Sequence, residues 1–172
     1  MLTHAQKDTI RRTWKLVEPV AESVPDLFYK RLFELAPQYR SLFSDDMSAQ
    51  KRKLATMLAF IVKSLDWPEE FWTDKIAPDQ DLVMVVAALG RRHAQLYRVP
   101  DEAYVPVGEA LLWTLDYGLG EAFTSEVRDA WATLYGVLSK CMIMSRDMAG
   151  SGAVATRSAA SPENPPPGSG HG

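Results

Sequence analysis

The side chains best suited to holding a transition metal are three histidines and a single cysteine. His4 falls in the first turn of the first expected helix. His171 lies in a C-terminal stretch rich in Gly, Ser and Pro, so neither has a cavity to face. His93 differs, because it is in register with Leu82, Val86, Leu89 and Leu96, an apolar stripe at helical spacing. A lone histidine on such a face is more often a satisfied core residue than a ligand. One chemistry needs no more than this: haem iron takes four nitrogens from the porphyrin and a single proximal imidazole from the protein. An apolar slot with one histidine in its wall is then enough, and a bond from the second ring nitrogen to the Leu89 carbonyl would orient the ring. Cys141, being alone, excludes an internal disulfide framework and a thiolate cluster.

A histidine in that register needs a helical frame. Apolar residues recur at helical spacing nearly everywhere, and no stretch alternates with period two. Thr3 and Gln6 form a capping box that opens a first helix with Ile10, Trp14 and Val17 on one face. A second helix is expected from about Ala21 to Leu35, with Pro25 tolerable only near its first turn. Pro37 forces a break and a short turn through Phe43. A connector rich in cap residues follows, and from it grows a helix with Leu54, Leu58, Ile61 and Leu65 in one stripe.

Trp67-Pro68 and Ala77-Pro78 interrupt the rhythm, so residues 66–81 read as a long connection with room for one helical turn in Glu69–Thr73. Within it Trp67, Phe71 and Trp72 pack as a loop, a partner surface being the alternative. The His93 helix is expected from about Asp81 to Tyr97. Another starts at Pro100-Asp101 and ends near Gly120, with Tyr104, Val107 or Gly108, Leu111 and Leu115 inward. Thr124 caps the last helix, which carries Val127, Trp131, Leu134, Leu138 and Cys141 or Met142. Trp14, Met57, Trp113 and Trp131 read as core or rim.

The chain has 172 residues, enough for one domain with a proper core and some excess. A net charge of −3 argues against a nucleic-acid surface or a polybasic membrane anchor. No apolar run approaches the length of a membrane span, and the polar N-terminus lacks a signal-peptide core, so a cytoplasmic protein is expected with no nucleic-acid or membrane partner. After Ala149 the composition turns to Gly, Ser, Ala and Pro without periodicity. The division expected is a domain over 1–149 and a disordered tail over 150–172.

The runs LFYKRLFELAPQYRSLF, QKRKLATML, LGRRH, YVPVGEALLWTL and AWATLYGVL resemble the globin family in order and spacing, over residues 1 to about 149. The resemblance is nearest to bacterial single-domain haemoglobins and to the globin half of flavohaemoglobins. It implies an all-α globin fold, a three-over-three helical sandwich around haem b (iron protoporphyrin IX). His93 matches the proximal iron ligand, and Phe43, six residues after Pro37, matches the phenylalanine against the haem face. Gln50 falls at the distal position, four residues before Leu54 and on the same helix face. Tyr29 matches the distal tyrosine of bacterial globins. Leu54 would line the distal side; Leu89, Tyr104, Val107 and Tyr135 would contact the cofactor. Arg92, in the pair Arg91-Arg92, suits a haem propionate or solvent.

The implied function is tight, reversible binding of dioxygen, with nitric oxide and carbon monoxide as further ligands. A phenol hydroxyl and an amide NH₂ are both donors and can hold negative charge developing on a gas in a low-dielectric pocket. Oxidation of nitric oxide to nitrate would need a separate reductase, since no Gly-rich flavin or nicotinamide segment is present. No residue is expected to act as a catalytic acid, base or nucleophile. A gas sensor acting through a partner is the alternative, and a haem-free globin a third reading. The sequence departs from the pattern in three ways, one being a spacing from His93 to Tyr104 that is one residue longer. The 66–81 connection is longer than usual, and the last-helix position that carries a glutamate in flavohaemoglobins matches Arg146, leaving His93 without an evident carboxylate.

Overall fold

Thr3 is extended, its hydroxyl accepts the Gln6 N–H, and the Gln6 side chain accepts the Thr3 N–H, so the expected capping box starts helix α1, His4–Val17. The computed structural model describes residues 2–21, 23–65, 82–95 and 99–155 of the chain. Ile10, Trp14 and Val17 of α1 are buried as their spacing predicts. A short 3₁₀ turn, Glu18–Val20, leads to α2, Val24–Leu35. That helix starts later than Ala21 because Pro25 takes a first-turn position, where its missing N–H leaves no helical bond unmade. Pro37 opens a 3₁₀ turn, Pro37–Leu42, and α3 follows over Ser48–Ser64.

The His93 helix, α4, spans Leu82–Gln95. After a 3₁₀ turn at Asp101–Ala103, α5 spans Tyr104–Leu119 and stops at Gly120, whose φ of 52° lies in the left-handed region that glycine enters without steric cost. Thr124 accepts the Val127 N–H at 3.4 Å, and α6 runs over Ser125–Ala155. It therefore continues past the expected boundary at 149; Ala149, Ala153 and Ala155 are strong helix formers, and the next proline is Pro162. Leu96, the connection with Trp67, Phe71 and Trp72, and the tail from 156 onward lie outside the described residues, as does the Leu82 side chain.

The helices form the three-over-three sandwich of the globin fold. Helix α2 packs on α5 and α3, and α6 packs on α1, α4 and α5. The described residues contain no strand. The α1–α6 contact shows how polar groups are accommodated in this core. The buried Thr13 hydroxyl donates to the Thr9 carbonyl at 2.8 Å and accepts the Trp131 indole N–H at 3.0 Å, so each group has a partner. Trp131 is 1% exposed and lies 6.3 Å from the Trp14 ring. Among the described residues no helix is long and apolar enough to cross a membrane.

Candidate functional site

The expected residues fall into two sets, one on α2 and α3 and one on α4, α5 and α6. The first is built on α2. Tyr29 is 5% exposed and sits in an aromatic cluster: Phe28 meets it edge-on at 5.0 Å, Phe33 stacks on it at 5.9 Å, and Phe43 meets it edge-on at 5.5 Å. Phe33 and Phe43 also pack edge to face, at 5.4 Å. Such pairs add to the stabilisation from burial and fix ring orientation. Burial pushes the Tyr29 phenol above its ordinary pKa, while the Gln50 side chain reaches its hydroxyl and draws it the other way. The two polar groups singled out from the sequence therefore meet, one from α2 and one from the first turn of α3.

Local structure explains how Gln50 arrives there. The Asp46 carboxylate accepts the N–H of Ser48, the first residue of α3, at 2.9 Å, and hydrogen bonds from the Ser48 hydroxyl and N–H hold the Asp46 carboxyl below the usual carboxylate range. Lys51, next to Gln50, forms an ion pair with Asp26, one turn before Tyr29, and so ties the starts of α2 and α3 together. Both side chains are largely solvated, so the pair contributes little stability. Leu54 follows Gln50 by one turn and packs on the core while staying half-buried.

The second set belongs to α4, α5 and α6. His93 is half-buried with its Nδ1 atom enclosed, and burial lowers its pKa, so the imidazole is neutral near pH 7. A neutral imidazole is the form that binds a metal. Leu89 precedes it by one turn and packs on the core. The chain leaving α4 folds back, the Val99 N–H donating to the His93 carbonyl at 3.1 Å. Arg92 is exposed, whereas Arg91 is only partly so.

Tyr104 and Val107 stand in the first turn of α5, both half-buried against the core. Tyr135 of α6 lies across this turn. Its ring is so close to Gly108 that a Cβ there would sit 2.6 Å from Cε1, and its hydroxyl donates to the Tyr104 carbonyl. Burial pushes the Tyr135 phenol far up, and the hydroxyl is engaged with the α5 backbone. Arg146 is in α6, but its side chain lies outside the described residues.

Phe33 and Arg40 were not among the expected site residues. Phe33 is four residues after Tyr29, a spacing that places both on one helix face, so periodicity alone could have found it. Arg40 has no such signal.

The donor set fits haem. It comprises one neutral imidazole and two hydrogen-bond donors, Tyr29 and Gln50. The half-buried apolar side chains Phe43, Leu54, Leu89 and Val107 come from four separate segments. Apolar walls with a few placed polar groups are the usual make-up of a small-ligand site.

The globin family model matches residues 26–142. A flavohemoprotein of Rhizobium meliloti is 30% identical over 142 residues, covering 81% of this chain and 32% of that protein. One from Deinococcus radiodurans is 30% identical over 146 residues, covering 83% of this chain and 33% of the relative. A neuroglobin of Chaenocephalus aceratus is 26% identical over 155 residues, covering 82% of this chain and 90% of the relative. The chain thus spans about a third of the length of the flavohemoproteins it matches. With the helix order already in place and the family model matching most of its length, this chain belongs to the globin family.

Proposed function

We propose that the chain is a haem-binding globin that holds dioxygen tightly and reversibly. The observation that carries this reading is the meeting of the Tyr29 hydroxyl and the Gln50 amide inside the fold, within the aromatic setting of Phe28, Phe33 and Phe43. Haem b supplies an iron atom at which a diatomic gas is bound. His93 would hold that iron through a ring nitrogen, and Phe43, Leu54, Leu89 and Val107 would cover the porphyrin. Arg92, exposed at the rim, is free to meet a propionate. Tyr104 and Tyr135 would close the proximal side.

Tyr29 and Gln50 donate hydrogen bonds where negative charge collects on the gas. In a site screened from water such bonds are stronger than in bulk solution. Carbon monoxide, less polar when held, gains less from the same donors. Slow oxygen release follows, which suits capture or chemistry more than delivery. Action in the cytoplasm is part of the same proposal.

An absorption spectrum of the purified chain, with oxygen dissociation kinetics, tests the reading. A Soret band and slow release support it; no Soret band means no haem and overturns it. A second reading, oxidation of nitric oxide to nitrate with electrons from a separate reductase, is favoured by the flavohemoprotein relatives at 30% identity. Rapid nitrate formation on mixing the oxygenated protein with nitric oxide supports it. Ligand-dependent association with a partner would instead favour a sensor.

A further inference from the structure

Arg40 holds the turn after α2 at several points. Its own carbonyl accepts the Phe43 N–H at 3.2 Å, and its guanidinium Nη1 donates to the carbonyls of Phe43 at 3.1 Å and Ser44 at 3.2 Å. The same guanidinium lies over the Phe33 ring, 5.4 Å from its centroid, and its second amine is 3.7 Å from Asp45. Residue 43 is thus gripped at both its N–H and its C=O by one residue.

Two routes lead from this grip to the distal groups. The first is aromatic: Arg40 touches Phe33, and Phe33 and Phe43 each pack on the ring of Tyr29. The second runs along the loop. Ser44, held by Arg40, donates its hydroxyl to the Asp46 carbonyl at 2.6 Å, and the Asp46 carboxylate accepts the N–H of Ser48, the first residue of the helix that carries Gln50. Both routes are short and consist of directional contacts. A lysine, a compact point charge without the rigid fork of donors, would not reproduce this set of contacts.

We infer that Arg40 is the positioning residue of the distal pair, fixing Tyr29 through Phe33 and Phe43 and fixing Gln50 through the Ser44–Asp46–Ser48 loop. It touches neither the gas nor the cofactor. The inference rests on the gas-binding reading above. The site's geometry then depends on a partly solvated residue outside the pocket.

The test uses the full chain loaded with haem and the variant Arg40→Leu, which keeps apolar bulk over Phe33 but removes the donors. Amide deuterium exchange over residues 43–50 is expected to quicken. The C–O stretching band of the carbon monoxide complex, which reports the field of the distal donors, is expected to shift. Oxygen release is expected to speed about two- to tenfold, the factor set by weakening one hydrogen bond. Arg40→Lys, which keeps the charge, should move all three in the same direction and serves if the leucine variant does not fold.

Unchanged exchange over 43–50 overturns the grip, whether or not the chain holds a gas. Faster exchange with an unmoved band and release rate reduces Arg40 to a structural role and overturns the inference. Tyr29→Phe separates the two readings. If Tyr29→Phe speeds release and Arg40→Leu does not, only the role of Arg40 fails; if neither does, the gas-binding reading fails with it.

Discussion

Tyr29 and Tyr135 are both phenols in the interior, and burial raises the pKa of each, yet their hydroxyls are used differently. On the α2–α3 side, Tyr29 meets the side-chain amide of Gln50, in a frame of aromatic rings. On the α5–α6 side, Tyr135 donates to the Tyr104 backbone carbonyl and presses its ring on Gly108. A hydroxyl committed to a main-chain carbonyl is part of the scaffold. One that faces a side-chain amide can share its donors with a third molecule, because both groups can rotate and each has spare hydrogen-bonding capacity. On the function proposed above, ligand chemistry falls to the first region and support of the His93 side to the second.

The largest expected effect is on the supported side. His93→Gly should abolish the Soret band of the five- or six-coordinate protein, and added imidazole should restore it; retention of a wild-type spectrum would remove His93 from the role of ligand. Next comes the contrast between the tyrosines themselves. Tyr29→Phe should speed oxygen release by roughly five- to a hundredfold, corresponding to about 1–3 kcal/mol for a bond to a charge-bearing acceptor. Tyr135→Phe should leave that rate near wild type. Equal changes in both variants would erase the distinction.

Smaller effects concern stability. Gly108→Ala places a methyl against the Tyr135 ring and is expected to lower stability by about 1–3 kcal/mol, as overpacking does. An unchanged denaturation midpoint would show that the α5–α6 contact yields easily. Tyr135→Phe is expected to cost about 1 kcal/mol through the lost bond to Tyr104.

The same variant should alter alkaline stability, and the sign follows from the raised pKa. The folded phenol keeps its proton while the unfolded one releases it above about pH 10. The unfolded state then binds fewer protons, so stability is full below that pH and falls as pH rises toward the folded value. Tyr135→Phe should flatten that decline, as followed by denaturant midpoints from pH 9 to 11. A decline of unchanged steepness would count against burial of this phenol.

Much of the helical frame was legible because its signals are local. The Thr3–Gln6 box, the prolines at 25 and 37, Gly120 and Thr124 each act within a few residues of the place they mark. The stripes through Ile10–Trp14–Val17 and Leu58–Ile61–Leu65 are repeats of a helical turn, and they are buried. The one-turn spacing of Gln50 and Leu54 within α3 was legible for the same reason. The start of α2 and the end of α6 were less legible, since both ends depend on a balance of weak propensities.

The direction of the Tyr135 hydroxyl and the grip of Arg40 on Phe43 had no local signal. The first depends on α6 crossing α5 at Gly108; the second depends on a turn returning to the ring of Phe33. The sequence by itself determined the helices, the family resemblance, and a histidine and a glutamine placed on apolar helix faces. Only the tertiary structure decided that Tyr29 and Gln50 meet while Tyr135 turns to the backbone. Helix formation follows contacts three or four residues apart, whereas these pairings join groups far apart in the chain, whose distance is set by how whole helices pack.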